Sequence, residues 1–259
     1  MTLAVAPDCF TRREPLAEYL ARTDYVSSSA VRRFLRTGRA PALALIPDAL
    51  SRETSIGDAF HALLLEPDRF AEEFVQADRG ASAPAAGDDA ALMTRTSLST
   101  RECDALQRMR SAVLGYSRLP LASWFADGQK ELSLYWRDAD GGRWKGRPDC
   151  FTDDIVLEVK TAADVRPARF AKSRKRYGYD LQAALYLEGI ERLTGCRPRY
   201  LYVSVETTRP HTVWIHEPLP HELARAAVEL DAARVRFMDG LGASAGSGEP
   251  TASAAGADS

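Results

Sequence analysis

Three residues between positions 149 and 160 have the types and spacing of a metal-dependent catalytic site. Glu158 and Lys160 lie two residues apart, so a strand would direct both side chains to one face of a sheet. Asp149 precedes a short turn at residues 152–154, and hairpin pairing across it would bring the two carboxylates together. Paired carboxylates bind Mg²⁺ or Mn²⁺, and an ammonium beside them can orient a water nucleophile. The pattern therefore predicts phosphodiester hydrolysis.

A sheet must position these residues. Apolar and polar residues alternate from residue 130, which indicates a strand. Its two faces carry Leu132, Leu134 and Trp136 on one side and Glu131, Ser133 and Tyr135 on the other. After a hairpin turn at 138–142, further strands are predicted at 143–151, 155–160, 200–205 and 213–216. The strand that begins at residue 130 and the strands at 143–151 and 155–160 would be antiparallel neighbours.

Helices are predicted on the remaining periodic segments. Residues 27–29 would cap a helix that ends near Gly38, and Pro67 would stop the helix that contains His61. Others are predicted at 100–116, at 179–193 with Gly195 as the stop, and at 222–238. The predicted fold class is α/β, with a mixed central sheet flanked by helices.

The length and composition of the chain fit one main domain. With 259 residues, of which 45% are hydrophobic, the chain can bury one sizeable core. Residues 1–24 are read as an N-terminal extension and 25–239 as the domain, with a loop or short helix at 39–53 and a surface excursion near 78–98. The Ala-, Ser- and Gly-rich segment 240–259 is predicted to be disordered.

Several function classes are disfavoured by composition. No apolar run approaches the length of a membrane span, and the first residues lack the features of a signal peptide, so we expect a cytoplasmic protein with no membrane partner. The four cysteines are scattered and are expected to be free thiols. No glycine-rich phosphate loop indicates ATP use. The net charge of −2 neither supports nor excludes a nucleic-acid partner.

Four short motifs occur in a recognisable order. They are residues 56–67 (IGDAFHALLLEP), 145–149 (KGRPD), 158–161 (EVKT) and 177–186 (YGYDLQAALY). Together they resemble the exonuclease VIII (RecE-type) nuclease domain of the PD-(D/E)XK superfamily, over about residues 25–238. The resemblance implies a restriction-endonuclease-like core. It also implies degradation of double-stranded DNA from its ends with Mg²⁺.

His61 is assigned to the metal site through this resemblance. A single histidine in an amphipathic helix is more often a packed or surface residue than a ligand. Gly57 lies one turn earlier on the same face and leaves room for close approach. An imidazole ligand suits Mn²⁺, so Mn²⁺ is a further candidate cofactor. The implied ligands are the side chains of His61, Asp149 and Glu158, with the carbonyl of Val159.

Gln182 and Tyr186 share a face of the helix that follows the Lys160 strand. Ordinary packing against the sheet is one reading of both residues, and the resemblance assigns them to the DNA or active-site side. Tyr179 lies close to the same stripe. Glu131 matches an acidic position of the family, although a glutamate on an edge strand is usually solvated.

A basic run follows the metal-site strand. Phosphate binding is favoured over a solvated face because DNA must pass near that strand. Its members are Arg166, Arg169, Lys172, Arg174, Lys175 and Arg176. The arginines between Arg32 and Arg39 could extend this surface, but their spread round a helix fits a solvated face equally well.

The predicted function is a Mg²⁺-dependent exodeoxyribonuclease that acts on double-stranded DNA in recombination or repair. Its expected partners are duplex DNA, a single-strand annealing protein and further copies of the same chain. Two alternatives stay open at this point. One is a non-catalytic DNA-end-binding module with the same fold, and the other is a nuclease of the same superfamily that acts on single strands or flaps.

Overall fold

The computed structural model describes residues 9–37, 52–77 and 95–246. Most of the predicted loop at 39–53, most of the excursion near 78–98 and the end of the predicted tail lie outside these ranges. In the described part of the chain, helices occupy the following segments: α1 Leu16–Ala21, α2 Ser28–Thr37, α3 Arg52–Leu65, α4 Pro67–Glu73, α5 Thr100–Leu114, α6 Leu121–Asp127, α7 Pro167–Tyr177, α8 Tyr179–Thr194 and α9 Pro220–Gly246. None of these helices has the length and apolar composition needed to cross a membrane.

The strands form two mixed sheets and a separate pair. They are β1 Phe10–Arg12, β2 Val26–Ser27, β3 Phe74–Ala77, β4 Thr96–Ser99, β5 Gln129–Lys130, β6 Ser133–Arg137, β7 Arg143–Gly146, β8 Cys150–Phe151, β9 Ile155–Ala162, β10 Arg199–Glu206 and β11 Val213–His216. One sheet has the order β1-β6-β7-β2 and the other the order β11-β10-β9-β8-β5, while β3 pairs with β4. Helices pack against the sheets, which confirms the predicted fold class.

Two neighbouring strands change sheets at the same level. The chain passes from β5 to β6 through Glu131, whose φ of 48° lies in the left-handed region. It returns from β7 to β8 through residues 147–149. The Glu131 backbone N–H donates to the Asp149 carbonyl at 3.2 Å across this break. The sequence predicted two unbroken strands here, and the break is what places Glu131 beside Asp149.

The ends of several elements have local causes. The Ser27 hydroxyl accepts a hydrogen bond from the Ala30 N–H at 3.3 Å, which caps α2 as predicted. Pro67 ends α3 at Leu65 and begins α4, since proline fits the first turn of a helix but not its interior. Gly195 ends α8 with a φ of 73°.

Hydrophobic side chains form one cluster on each face of the β9–β10 layer. Trp136, Leu185 and Phe237 belong to the cluster under α8 and α9, and Phe60 and Leu157 belong to the cluster under α3 and α5. Strand β9 alternates between them, because successive side chains of a strand point to opposite faces. Val156 joins the first cluster, and Glu158 and Lys160 follow it at intervals of two.

Secondary structure continues beyond both ends of the predicted domain. Residues 9–24 were assigned to an extension, yet β1 pairs antiparallel with β6 and Tyr19 of α1 is buried. This segment is therefore integrated into the four-stranded sheet. At the other end α9 continues to Gly246, past residue 240 where the disordered tail was predicted to begin.

Candidate active site

Three ligand-type side chains meet beside the strand break. One ligand atom each from His61, Glu131 and Asp149 lies within 4.8 Å of the others. His61 comes from α3, and the two carboxylates come from the facing strand breaks. The His61 Nδ1 atom lies 3.5 Å from Asp149 Oδ1. The structure thus brings together the two predicted ligands His61 and Asp149, with Glu131 as the third group.

Asp149 is held by the neighbouring strand. Antiparallel pairing of β8 with β9 places Cys150 opposite Leu157, so Asp149 falls opposite Glu158, as the hairpin predicted. The Val159 N–H donates to Asp149 Oδ2 at 2.6 Å. In an extended strand the N–H and C=O of one residue point to the same side. The Val159 carbonyl therefore points toward the strand break, as a ligand would.

Glu158 and Lys160 form a buried pair next to this cluster. The Lys160 Nζ donates to Glu158 Oε1 at 2.7 Å and lies 4.9 Å from the centroid of the Tyr179 ring. Glu158 is only 1% exposed, and its other oxygen, Oε2, has no hydrogen-bond partner among the described residues. That oxygen is a free acceptor at the site.

The protonation equilibria indicate a site with surplus negative charge. Burial raises the pKa of Glu158, and the charge of Asp149 raises it further. Burial and Asp149 likewise raise the pKa of Glu131 to about 7. Burial also acts to raise the pKa of Asp149, but His61, Lys160 and the Val159 N–H outweigh it and lower that pKa. A divalent cation would offset this charge, and the oxygen and imidazole donors fit Mg²⁺ or Mn²⁺.

Arg147 contacts the cluster, and the sequence analysis did not assign it to the site. Its guanidinium donates to Glu131 at 2.6 Å and to the Glu14 carbonyl at 2.8 Å, and it lies 3.4 Å from Glu66. The Arg147 side chain is 5% exposed. Both Arg147 and Glu66 fall inside motifs that carried the family resemblance, and this was the signal for their importance. Neither has a spacing that by itself predicts the contact.

Gln182 and Tyr186 face the site from α8. The Gln182 side-chain amide donates to the Tyr186 hydroxyl at 3.0 Å, and both residues are buried. The pKa of Tyr186 is raised by burial and by the nearby charge of Glu158. Gln182 Oε1 has no hydrogen-bond partner within the described part of the chain. These side chains therefore pack against the sheet and also border the acidic site.

The basic run divides into exposed and buried members. Most of it lies on α7 or just before it, and the exposed members are Arg166, Arg169, Lys172, Lys175 and Arg176. Arg174 does not fit the predicted phosphate-binding face. Its side chain is 4% exposed and lies 2.7 Å from Asp180 and 3.3 Å from Glu222. Arg174 is an internal ion-pair partner, because helical periodicity turns it toward the core.

These features define a class of protein. A bent mixed sheet that presents an aspartate, a Glu-x-Lys strand and a helical histidine is the architecture of the PD-(D/E)XK nucleases. The solved structure of a Eubacterium rectale protein, provisionally described as an exonuclease, superposes with a TM-score of 0.67 at 15% identity, covering 90% of this chain and 88% of its own. At that identity the superposition defines the fold.

The family follows from the sequence comparison. The chain belongs to the family described as the PDDEXK-like domain of unknown function (DUF3799), whose model matches residues 27–231. An alkaline exonuclease from Laribacter hongkongensis also matches in structure, with a TM-score of 0.37 at 13% identity over 89% of this chain and 98% of its own. No curated protein sequence matches the chain.

Proposed function

We propose that this protein is a metal-dependent exodeoxyribonuclease that acts in the cytoplasm on double-stranded DNA ends in recombination or repair. Mg²⁺ is the expected cofactor, and Mn²⁺ is expected to substitute for it. A single-strand annealing protein and further copies of the chain are the expected protein partners. The observation that carries the proposal is the acidic cluster at the strand break with Lys160 paired to Glu158 beside it.

Each side chain has a definable part in this chemistry. Asp149, Glu158, His61 and the Val159 carbonyl would hold the cation, which supplies Lewis-acid charge and makes bound water more acidic. Lys160 keeps its proton, because Glu158 and Asp149 raise its pKa against the effect of burial. Its ammonium can therefore orient a water nucleophile or stabilise the charge that develops on the phosphoryl oxygens.

Gln182 and Tyr186 complete the wall behind Glu158. Their hydrogen bond fixes both side chains on α8, and the free Gln182 oxygen remains available as an acceptor. Tyr186 lies close enough to Glu158 for the Glu158 charge to raise the pKa of Tyr186. We assign both residues to positioning of the carboxylate and of the bound strand.

Digestion of end-labelled linear duplex, compared with a covalently closed circle, tests the proposal. The wild-type protein should degrade the linear duplex in Mg²⁺ and leave the circle intact. Asp149→Asn and Glu158→Gln should each lose activity by at least about 10³-fold, since each removes a charged ligand. Asp153→Asn, an exposed acid on the turn of the same hairpin, should retain activity and is the matched control.

Two results would contradict the proposal. Wild-type-like digestion by either Asp149→Asn or Glu158→Gln would show that the cluster is not catalytic. Tight end binding by the wild-type protein without any cleavage in Mg²⁺ or Mn²⁺ would identify a DNA-end-binding module instead.

A further inference from the structure

Two tyrosines line the groove that leads to the candidate active site. The groove runs between α1, α3, the start of α5 and the end of β9, and its walls include His61 and Lys160. Tyr177 is the last residue of α7, Tyr179 is the first of α8, and both rings line this groove. A strand that reaches Lys160 through the groove would therefore pass these rings.

The rings form a stack that ends at Lys160. Their centroids lie 5.6 Å apart with an angle of 27° between the planes, and the Lys160 Nζ lies 4.9 Å from the Tyr179 centroid. Gly178 joins the two helices with a φ of 62°, a conformation that favours glycine. Arg32 donates to the Tyr177 carbonyl at 2.9 Å. The backbone of the stack is thus held in place.

The outer ring is open to solvent. Tyr177 is 47% exposed although its ring stacks on Tyr179, so part of the ring surface is accessible to a ligand. The guanidinium carbon of Arg176 lies 5.4 Å from the Tyr177 centroid. An exposed arginine at this place can stay over the ring or pair with a phosphate of a bound strand.

The charge of the groove argues against recognition through phosphates alone. Among the described residues that line it, Arg101 and Lys160 are cationic and Asp58 and Glu102 are anionic, so their formal charges cancel. The rest of the described lining is mainly apolar and aromatic, including Leu20. Phosphate-driven binding depends on a surplus of lysine and arginine, whereas aromatic surfaces bind the faces of bases.

We propose that Tyr177 and Tyr179 form a stacking platform for unpaired bases of the DNA strand that is presented to Lys160. The inference rests on the proposed nuclease function and narrows its substrate to a strand that is single, or separated from its complement, at the catalytic end. Within a duplex the neighbouring bases cover both faces of every base except those of the terminal pair. The bases behind the end can therefore stack on Tyr177 only when their strand is single or separated from its complement.

Binding of a labelled thymidine oligonucleotide of about 12 nucleotides, measured in Ca²⁺, tests the platform. Tyr177→Ala and Tyr177→Leu should each weaken binding about tenfold, because stacking on an aromatic ring is lost. Tyr177→Phe should bind as tightly as the wild-type protein. Trp214→Ala, which removes an exposed ring of β11 that does not line the groove, is the matched control and should have no effect.

The outcomes separate the platform from the nuclease function. The platform would be overturned if Tyr177→Ala or Tyr177→Leu bound the oligonucleotide as tightly as the wild-type protein. It would also be overturned if the wild-type protein did not bind the oligonucleotide. Because binding is scored without turnover, an inactive wild-type protein that shows the expected affinity series would overturn only the nuclease function. Normal digestion of DNA ends together with an unchanged affinity series would overturn only the platform.

Discussion

At the scale of single residues, the candidate site must pair its buried charges and still leave an oxygen atom open to a ligand. Glu158 and Asp149 are buried carboxylates, and a buried charge is stable only with a partner. Lys160 donates a hydrogen bond to Glu158. The Val159 N–H donates to Asp149, and the His61 ring lies beside the same carboxylate. These contacts hold both carboxylates in place, while Glu158 Oε2 has no hydrogen-bond partner among the described residues.

Lys160→Met should abolish most turnover and leave the metal affinity largely intact. An ammonium cannot coordinate a cation, but it stabilises developing charge, and loss of such a group costs about 10²–10³-fold in rate. Single-turnover digestion of linear duplex and calorimetric titration with Mn²⁺ measure the two effects separately. Loss of Mn²⁺ binding in the variant would contradict the role given to Lys160.

Arg147→Met should destabilise the protein by about 3–5 kcal/mol, because it leaves the largely buried Glu131 without its cation. The free energy of unfolding in urea measures the effect. Arg143→Met is the matched control on β7, since that arginine is 44% exposed, pairs with Asp24 at the surface and lies over the Tyr25 ring. We expect about 0–1 kcal/mol for the control. If the two variants lost equal unfolding free energy, Arg147 would not be a stabilising residue of the site.

At the scale of elements, helix α3 reaches the sheet through a glycine. A Cβ atom at Gly57 would lie 3.2 Å from the Thr161 side-chain oxygen on β9, so only a very small residue permits this approach. His61 lies one turn later on the same helix and reaches Asp149 from there. The close contact predicted from Gly57 is confirmed, and it sets the distance between the histidine and the carboxylates.

Gly57→Leu should weaken Mn²⁺ binding by moving α3 away from β9 and His61 away from Asp149. A reduction of about tenfold is expected if one ligand is displaced. Gly57→Ala is the graded control, because its single methyl requires a shift of only a few tenths of an ångström from Thr161. Calorimetric titration measures both variants. A leucine variant with wild-type Mn²⁺ affinity would argue against His61 as a ligand.

The N-terminal segment is a second element that positions the site. Glu14 follows β1, and its carboxylate is buried and accepts a hydrogen bond from the Tyr135 hydroxyl. Its carbonyl accepts from Arg147, which in turn holds Glu131. The contacts of Arg147 therefore connect residues before the predicted domain boundary with the strand break.

At the scale of the whole molecule, a buried polar network joins the basic helix to the rest of the fold. Arg174 of α7 contacts Asp180 of α8, His216 of β11 and Glu222 of α9. The Tyr202 hydroxyl of β10 donates to the same aspartate at 3.1 Å. This network fixes the orientation of α7, so the exposed cations of that helix are held on one face.

The stabilising contribution of His216 should be lost as the pH drops below about 6.5, because His216 must stay neutral to accept from Arg174. Burial and Arg174 lower the pKa of His216 in the folded protein, although Glu222 and Asp180 act in the opposite direction. The unfolded chain then binds the proton first. Between about pH 7.5 and pH 5.5, the difference in urea-unfolding free energy between the wild-type protein and His216→Gln should shrink as the pH falls. His221→Gln, at an exposed position, should behave like the wild-type protein, and equal slopes in all three would contradict this account.

DNA affinity should depend on salt through the exposed face of α7. Replacing Arg169, Lys172 and Lys175 with glutamine should reduce the slope of log affinity against log salt by about 0.9 for each phosphate that the helix no longer neutralises. Arg174 is excluded from this set because it is buried. Duplex binding across a salt series in Ca²⁺ gives the slope. An unchanged slope would show that α7 presents a solvated face, and the arginines of α2 would be the next candidates.

Local patterns in the sequence determined much of this protein. The two-residue spacing of Glu158 and Lys160, the turn that places Asp149 opposite them, and the helix ends at Pro67 and Gly195 were all predicted. Each depends on the geometry of a strand, a hairpin or a cap, which a few neighbouring residues specify. The family motifs added His61, which spacing alone could not identify.

Tertiary structure decided what depends on distant parts of the chain. Glu131 joins His61 and Asp149 only because two strands break at the same level. Pro148 marks one break locally, but nothing in the sequence shows that the other strand breaks opposite it. Arg147 meets Glu14 and Glu66 across large sequence separations. Arg174 is buried although its neighbours are exposed, because packing of several elements selects one helical face. Burial and long-range pairing arise from packing of the whole fold. The residues that position the site could therefore be identified only from the tertiary structure.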